Sequence, residues 1–285
     1  MKKLPKPLKL IGKVIPGEKI GRTINFPTAN LALKILPSIK PGVYLAVCQL
    51  AKNSYLGLAY YSPRHTFEVY LFDFNQDIYG QQFSVKLTHF LRPPKKVRGL
   101  LALKKLIQQD LISLNDQVIL VNKKDQILGI ANKLQAHLGS AQLHRAVSVQ
   151  IFNSKQELLI QQRSKDKMLF PLLWANTVCT DVRPYENYLQ AANRRLKEEF
   201  GLQADLTPQF KFYYTAPSGS RASEREIDQV FSGRTDHRPQ PNPKEIQAWQ
   251  YLSLKQLKTA PLNYAPWFKL ILKKMLSSAI FKAWK

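Results

Sequence analysis

Residues 174–202, WANTVCTDVRPYENYLQAANRRLKEEFGL, decide how the chain is read. An apolar run ends at Cys179, a turn-like VRPY follows, and the rest has the spacing of an amphipathic helix. Arg194, Arg195, Glu198 and Glu199 fall within two helical turns, and residues three and four apart share a face. Glu186 is expected at the helix start, where a carboxylate complements exposed backbone N–H groups. Clustered carboxylates are hard oxygen ligands of the kind Mg²⁺ takes, usually while it also holds a phosphate. Spacing alone favours an ordinary surface helix laced with ion pairs.

Glu186, Arg194 and the run Arg195-Leu196-Lys197-Glu198-Glu199-Phe200-Gly201-Leu202 resemble a Nudix box. Thr180 stands where a glycine is usual in the hydrolases, and Arg195 where a glutamate is usual. Those departures, with Trp174-Ala175-Asn176-Thr177-Val178-Cys179 upstream, resemble the type I isopentenyl-diphosphate isomerases instead.

The 285 residues suffice for two modest domains, and 45% apolar residues supply packed cores. No apolar run approaches the length of a membrane span, and MKKLPKPLKL lacks the apolar stretch of a signal peptide. Two cysteines, Cys48 and Cys179, make no disulfide framework, so a reducing cytoplasm is expected. The net charge of +24 arises from lysines spread over both halves, without a zinc-finger spacing or an RNA-binding aromatic motif. Small anionic substrates are therefore expected ahead of a specific nucleic-acid partner. Oligomeric state is left open.

In the first half, β-branched and aromatic runs alternate with Gly/Pro turns: GKVIPG, PGVYLAVCQL, YLGLAYY, FEVYLFDF and QQFSVKLTHFL. They predict a small antiparallel barrel or sandwich, closed by an amphipathic helix over about 100–111. In the strand around FEVYLFDF, Glu68, Tyr70 and Phe72 share one face, with Val69, Leu71 and Asp73 on the other. A lone glutamate in so apolar a strand is costly to bury charged, so it reaches solvent or has a chemical role.

GRTINFPTAN (21–30), PGVY (41–44), the Glu68 strand, DIYG (77–80) and Leu91-Arg92-Pro93 resemble the riboflavin kinase family in order and spacing. The resemblance implies a six-stranded Greek-key barrel over 1–113 that transfers the ATP γ-phosphate to riboflavin, giving FMN. Thr28 and Asn30 would hold Mg²⁺ and the nucleotide phosphates. Gly12, Gly17 and Gly21, in the first turn, would let backbone N–H groups approach phosphate. Glu68 would take the proton from the attacking hydroxyl. Asn25 replaces a glycine, and asparagine is the next-best residue if φ is positive there. Tyr70 replaces a common histidine, and the loop before Glu68 is short. No adenylyltransferase domain precedes the barrel, so FAD synthesis is not expected.

The second half, 116–285, follows a short joint, DLISLNDQ. VILVNKKDQILGIANK reads as strand, turn and strand, and His137 and His144 as a loop-borne pair. Lys133, His137, His144, Arg163, Lys167, Cys179, Glu199, Tyr214, Glu224, Glu226 and Trp267 follow the order of functional positions in the isomerase family. The resemblance implies an α+β Nudix fold, a mixed sheet flanked by helices. The reaction it implies converts isopentenyl diphosphate to dimethylallyl diphosphate. Cys179 and Glu226 would be the acid–base pair, and Tyr214 and Trp267 the aromatic faces that stabilise a tertiary carbocation. His137, His144, Glu224 and Glu226 would bind a divalent ion. Lys133, Arg163, Lys167 and Arg195 would grip the diphosphate, with Glu199 holding a bridging Mg²⁺.

Asp181-Val182 stands where that family has His-Pro, whose histidine is a metal ligand. Aspartate is the shorter and harder ligand, and moves preference from imidazole-loving ions such as Zn²⁺ toward Mg²⁺ or Mn²⁺. Either the site works with a different ion or isomerisation is weakened or lost. The chain is thus expected to be a bifunctional kinase and isomerase. The alternatives are a kinase with a Nudix hydrolase of a nucleoside diphosphate, or a kinase with a catalytically dead, basic binding module. The tail from Pro261 is expected to be a basic amphipathic helix that packs over the site and supplies Trp267.

Overall fold

Gly/Pro punctuation in the first half yields six strands rather than the five runs most evident by eye. They are β1 (Lys2–Ile15), β2 (Thr28–Leu33), β3 (Gly42–Leu50), β4 (Asn53–Tyr61), β5 (Phe67–Leu71) and β6 (Gln82–Arg92). In the computed structural model, which describes residues 1–277, they close a barrel in the order β1-β2-β5-β4-β3-β6. The added strand, β2, is TANLAL, whose short, alanine-containing run without a β-branched aliphatic or aromatic residue makes it inconspicuous as a strand. Phe67, Val69 and Leu71 point into the barrel with Tyr44, Tyr61, Phe83 and Val85, so Glu68 and Tyr70 fall on the outer face.

A single turn, α1 (Ile20–Thr23), follows β1, and α2 (Leu100–Ile112) follows the barrel. Arg92, at the end of β6, donates through Nε and Nη2 to the two carboxylate oxygens of the buried Asp110 of α2, at 2.7 and 2.8 Å. Gln117–Val121 (β7) and Ile127–Asn132 (β8) form the predicted hairpin.

The chain divides into two compact units: Met1–Asn132 with Arg183–Glu186, and Lys133–Val182 with Asn187–Lys285. This division differs from a boundary at 113–116 by the β7–β8 hairpin, which clusters with the first unit.

The second unit contains α3 (Lys133–His137), β9 (His144–Phe152), β10 (Leu158–Arg163), β11 (Trp174–Ala175) and β12 (Val178–Asp181). It continues with α4 (Tyr188–Phe200), β13 (Thr207–Ser218), β14 (Ala222–Arg234), β15 (Ile246–Leu252), α5 (Leu254–Thr259) and α6 (Pro266–Ser277). Its sheet is mixed: β9 and β14 run parallel, with Glu226 opposite His144, whereas β12 and β13 are antiparallel to their neighbours. The two central strands are buried along nearly their whole length, as parallel strands covered on both faces are. Trp267, Phe268, Ile271 and Met275 of α6 pack into the core with Phe152, Leu158, Ile160 and Val230.

The helix of the 174–202 stretch starts one step later than expected. Asn187, not Glu186, is its N-cap: its side chain accepts from Gln190 N while Gln190 returns a bond to the Asn187 backbone. Glu186 lies before the helix, its carboxylate turned to the Arg183 backbone at 3.3 Å. An uncharged cap that receives a reciprocal bond satisfies two orphan donors, which a carboxylate one residue earlier does not reach. Gly201, at φ 64°, ends the helix in the left-handed conformation. The tail helix is α6, beginning at Pro266; its expected continuation through 278–285 lies outside the described residues. No helix among the described residues is long and apolar enough to cross a membrane.

Candidate active sites

In the first unit, register brings the PTAN strand onto the Glu68 strand: Asn30 pairs with Glu68, and Thr28 with Tyr70. The Thr28 hydroxyl donates to Glu68 Oε2 at 3.2 Å. A Cβ on Gly21 would lie 2.2 Å from the Phe26 carbonyl oxygen, so that position requires the bare backbone, and one on Gly17 would lie 2.0 Å from Asn30 Nδ2 and displace that side chain. Asn25 has φ 65°, the left-handed conformation for which asparagine is suited.

Gly12 is not in the first turn. It lies within β1, opposite Leu33 and Phe83, and its backbone belongs to the sheet. Beside Thr28 a cavity of about 570 Å³ opens, lined also by Arg22, Asn25, Asp77 and Tyr79. Arg22 and Tyr79, not singled out from sequence, meet at its rim, Nη2 donating to the phenol oxygen at 3.3 Å.

The second site is a smaller cavity of about 120 Å³. Into it the fold brings Lys133, His137, Arg163, Lys167, Cys179, Asp181, Arg195, Tyr214, Glu224, Glu226 and Trp267, which sequence had scattered over more than 130 positions. The two histidines are not loop-borne: His137 ends α3 and His144 begins β9. Each donates Nδ1–H to a backbone carbonyl, Lys133 O at 2.8 Å and Gln142 O at 2.7 Å, which leaves both Nε2 atoms facing inward.

His137 Nε2 lies 3.0 Å from Glu224 Oε2, and His144 Nε2 lies 3.5 Å from Glu226 Oε1. Ligand atoms of His137, His144, Glu224 and Glu226 all fall within 4.8 Å of one another, every residue buried. Two inward-facing imidazole nitrogens beside carboxylate oxygens, with the outer nitrogens already engaged, are a donor set suited to a divalent cation once the protons they share are displaced.

Asp181 adds a third carboxylate beside this set. Its Oδ1 is 3.0 Å from His144 Nε2 and 3.7 Å from His137 Nε2, while Oδ2 is 2.7 Å from Lys133 Nζ. Burial alone would raise its pKa, but Lys133 and the two histidines outweigh burial and hold it well below the ordinary value. Burial likewise works against charge on His144, yet Asp181 and Glu226 raise its pKa well above the ordinary value.

Cys179 sits on β12 with Arg163 Nη1 3.5 Å from its sulfur, and burial pushes the thiol up to about 12, so it is protonated. Glu226 is held below its usual value despite burial, chiefly by His144, and accepts the Tyr214 hydroxyl at 2.6 Å. Thiol and carboxylate thus differ in protonation state within one cavity. Trp267 lies over the Arg163 guanidinium, 5.2 Å from its centre, and 6.3 Å from the Tyr214 ring. Its indole N–H donates to Asn176 Oδ1 at 3.0 Å. The Asn176 amide also bonds the Val149 and Val178 carbonyls, so the residues before Cys179 fix both the cysteine strand and the tryptophan.

Glu199 is buried on α4, accepting Gln161 Nε2 at 2.6 Å and Arg195 Nη2 at 2.5 Å. Two acidic residues escaped the sequence reading. Asp228 lines the cavity, bonded by Ser148 Oγ at 2.7 Å, its carboxyl pushed well up by burial and by Glu226. The period-two run Glu224, Glu226, Asp228 on one strand face was the signal for it. Glu245, just before β15, contacts both Lys167 and Arg195, and no local pattern announces it.

A barrel carrying a PTAN strand and a mixed sheet carrying a helix-borne carboxylate cluster define two enzyme classes in one chain. Residues 4–118 match the Flavokinase family, described as riboflavin kinase, and residues 142–274 match the NUDIX domain family. Isopentenyl-diphosphate Delta-isomerase of Pectobacterium atrosepticum is 40% identical over 158 residues, which cover 54% of this chain and 88% of that protein. Isopentenyl-diphosphate Delta-isomerase 1 of Aromatoleum aromaticum is 43% identical over 153 residues, 54% of this chain and 85% of that protein. Through its second half the chain belongs to the isopentenyl-diphosphate isomerase family, and its first half is a riboflavin kinase domain.

Proposed function

We propose that the chain is a bifunctional enzyme: it phosphorylates riboflavin to FMN with ATP and isomerises isopentenyl diphosphate to dimethylallyl diphosphate. The observation that carries the second activity is a single cavity in which a protonated thiol, Cys179, and an ionised carboxylate, Glu226, stand among aromatic rings and cations. Moving a double bond requires one proton delivered to the alkene and another removed from the adjacent carbon. Groups whose environments push their pKa values apart are suited to divide that work.

Tyr214 orients Glu226 through its hydroxyl, and Tyr214 and Trp267 offer π-faces to a developing tertiary cation. Arg163, Lys167 and Arg195 face the substrate's anionic end. His137, His144, Glu224 and Glu226, with Asp181 beside them, would hold a divalent ion, Mg²⁺ or Mn²⁺ given the extra oxygen donor, which orders these side chains. Arg195, paired with Glu199, occupies the helix position where Nudix hydrolases use a glutamate, which favours binding a diphosphate over cleaving it.

In the barrel, Glu68 accepts the proton of the riboflavin 5′-hydroxyl as the γ-phosphate is transferred, the general-base role this transfer needs. The Thr28 hydroxyl holds its carboxylate in place, and Thr28 and Asn30 would bind the Mg²⁺ that accompanies ATP. Both cysteines are free thiols, in keeping with a cytoplasmic enzyme. Purified full-length protein should form FMN from ATP and riboflavin, and dimethylallyl diphosphate from isopentenyl diphosphate with Mg²⁺ or Mn²⁺. Absence of the isomer under every divalent ion tried would remove the second activity.

A further inference from the structure

Three of the four cations assigned to the diphosphate are already paired with carboxylates in the second unit. Lys167 and Arg195 share one carboxylate oxygen, Glu245 Oε2, which Arg195 Nη2 approaches to 2.5 Å. Glu199 Oε1 lies 2.5 Å from the same Arg195 nitrogen and 3.8 Å from Lys167 Nζ. Two buried or half-buried cations therefore face two carboxylates. Lys133 is likewise paired with Asp181. Arg163 is bound to the Leu169 and Phe170 carbonyls rather than to an acid.

Glu245 is not a stray surface acid. The loop before it is fastened to the end of α4, Gln240 N donating to Phe200 O at 2.8 Å and Asn242 N to Glu199 O at 2.7 Å. Ser164 N binds the Glu245 carbonyl at 2.9 Å, so the backbone is pinned and only the side chain has freedom. Burial would raise its carboxyl, but Lys167 and Arg195 prevail and bring it down to about 2, so it is ionised at neutral pH.

We propose that Glu245 is a specificity-determining residue of the anion site, holding the place of a phosphate oxygen between Lys167 and Arg195 so that the pocket selects a diphosphate carrying its own divalent cation. This rests on the reading of Lys167 and Arg195 as diphosphate ligands. A bare diphosphate meets a locally neutral cluster and must either displace Glu245 or lie against two carboxylates. A metal-bound diphosphate brings the positive charge that the cluster lacks, and Glu199 and Glu245 then face a cation instead of an anion.

Calorimetric titration of the full-length protein with inorganic pyrophosphate, with and without Mg²⁺, tests this directly. Wild type should bind at least about tenfold more tightly with Mg²⁺. Glu245→Gln should close that gap by tightening the Mg²⁺-free binding, while Glu245→Asp keeps it. Glu245→Ser carries the same expectation should the glutamine variant not fold. Equal weakening under both conditions, or no change in the ratio, would reduce Glu245 to a structural strut and overturn the proposal. Turnover of isopentenyl diphosphate by wild type is assayed separately, so an inactive enzyme with intact discrimination sinks only the isomerase reading.

Discussion

Asp181 Oδ1 lies 3.0 Å from Nε2 of His144, in line with the inward-facing imidazole nitrogens. The aspartate that interrupts the family's His-Pro pair is thus not turned away from the candidate metal centre. Asp181→Ala should lower affinity for Mn²⁺ by about 10–100-fold, the usual effect of losing a group that orients or completes a metal site. Asp181→His should move preference toward Zn²⁺, because imidazole is the softer donor. Competition titrations with Mn²⁺ and Zn²⁺ check both, and an unchanged preference would show that Asp181 serves only Lys133.

Metal and protons compete for the same cluster. His137 and His144 are raised above the ordinary 6.5, and Glu224 is raised to about 8, by burial first and then by Glu226. In metal-stripped protein all three hold protons that the unfolded chain releases: Glu224 above pH 4.5 and the histidines above 6.5. The folded state then binds more protons than the unfolded one, so stability falls as pH rises through 6.5 to 8. Calorimetric melting in chelator should show that decline, and saturating Mn²⁺ should flatten or reverse it, since metal binding releases those protons.

Cys179→Ala should cut isomerisation by a factor on the order of 10²–10⁴, the range for losing a positioned proton donor or acceptor. FMN formation by the same preparation should be unaffected, because Cys179 and Glu68 belong to separate compact units. A parallel loss in both assays would indicate misfolding instead.

Glu68→Gln should lower FMN formation by a factor on the order of 10²–10⁴ with little change in melting temperature. Glu68 is half-buried on the outer barrel face and its side chain accepts from Thr28, so an amide can replace it sterically. Retention of kinase activity would require another base.

The Arg92–Asp110 pair should respond asymmetrically to truncation. Arg92→Met strands the buried Asp110 carboxylate and should cost about 3 kcal/mol or more. Asp110→Ala should cost less, about 1–3 kcal/mol, because Arg92 is 22% exposed and can turn to water. Urea unfolding of both variants gives the comparison.

Much of the candidate site was legible because its residue types are tied to local patterns. The Glu68 strand declared its inside and outside faces by period two, and the Arg194–Glu199 run declared a helix. Glu186 misled because cap positions are settled by single side-chain bonds, here between Asn187 and Gln190. Gly12 misled for a related reason: in one dimension, a glycine that admits a neighbouring strand looks the same as one that admits a phosphate. Its Cβ would meet the Ala32 carbonyl at 2.8 Å.

By itself the sequence determined that there are two folding units, most of the strands of the first, the 188–200 helix of the second, and the set of groups available for chemistry. Periodicity and motif order are properties of neighbours along the chain. Only the tertiary structure decided which charges meet. Lys167 and Glu245 are 78 residues apart and touch because β10 pairs with β15, Arg163 opposite Ile246. Asp181 reaches Lys133 and His144 from a different strand. Electrostatic pairing depends on distance in space, and that distance is set by strand register and helix packing acting together.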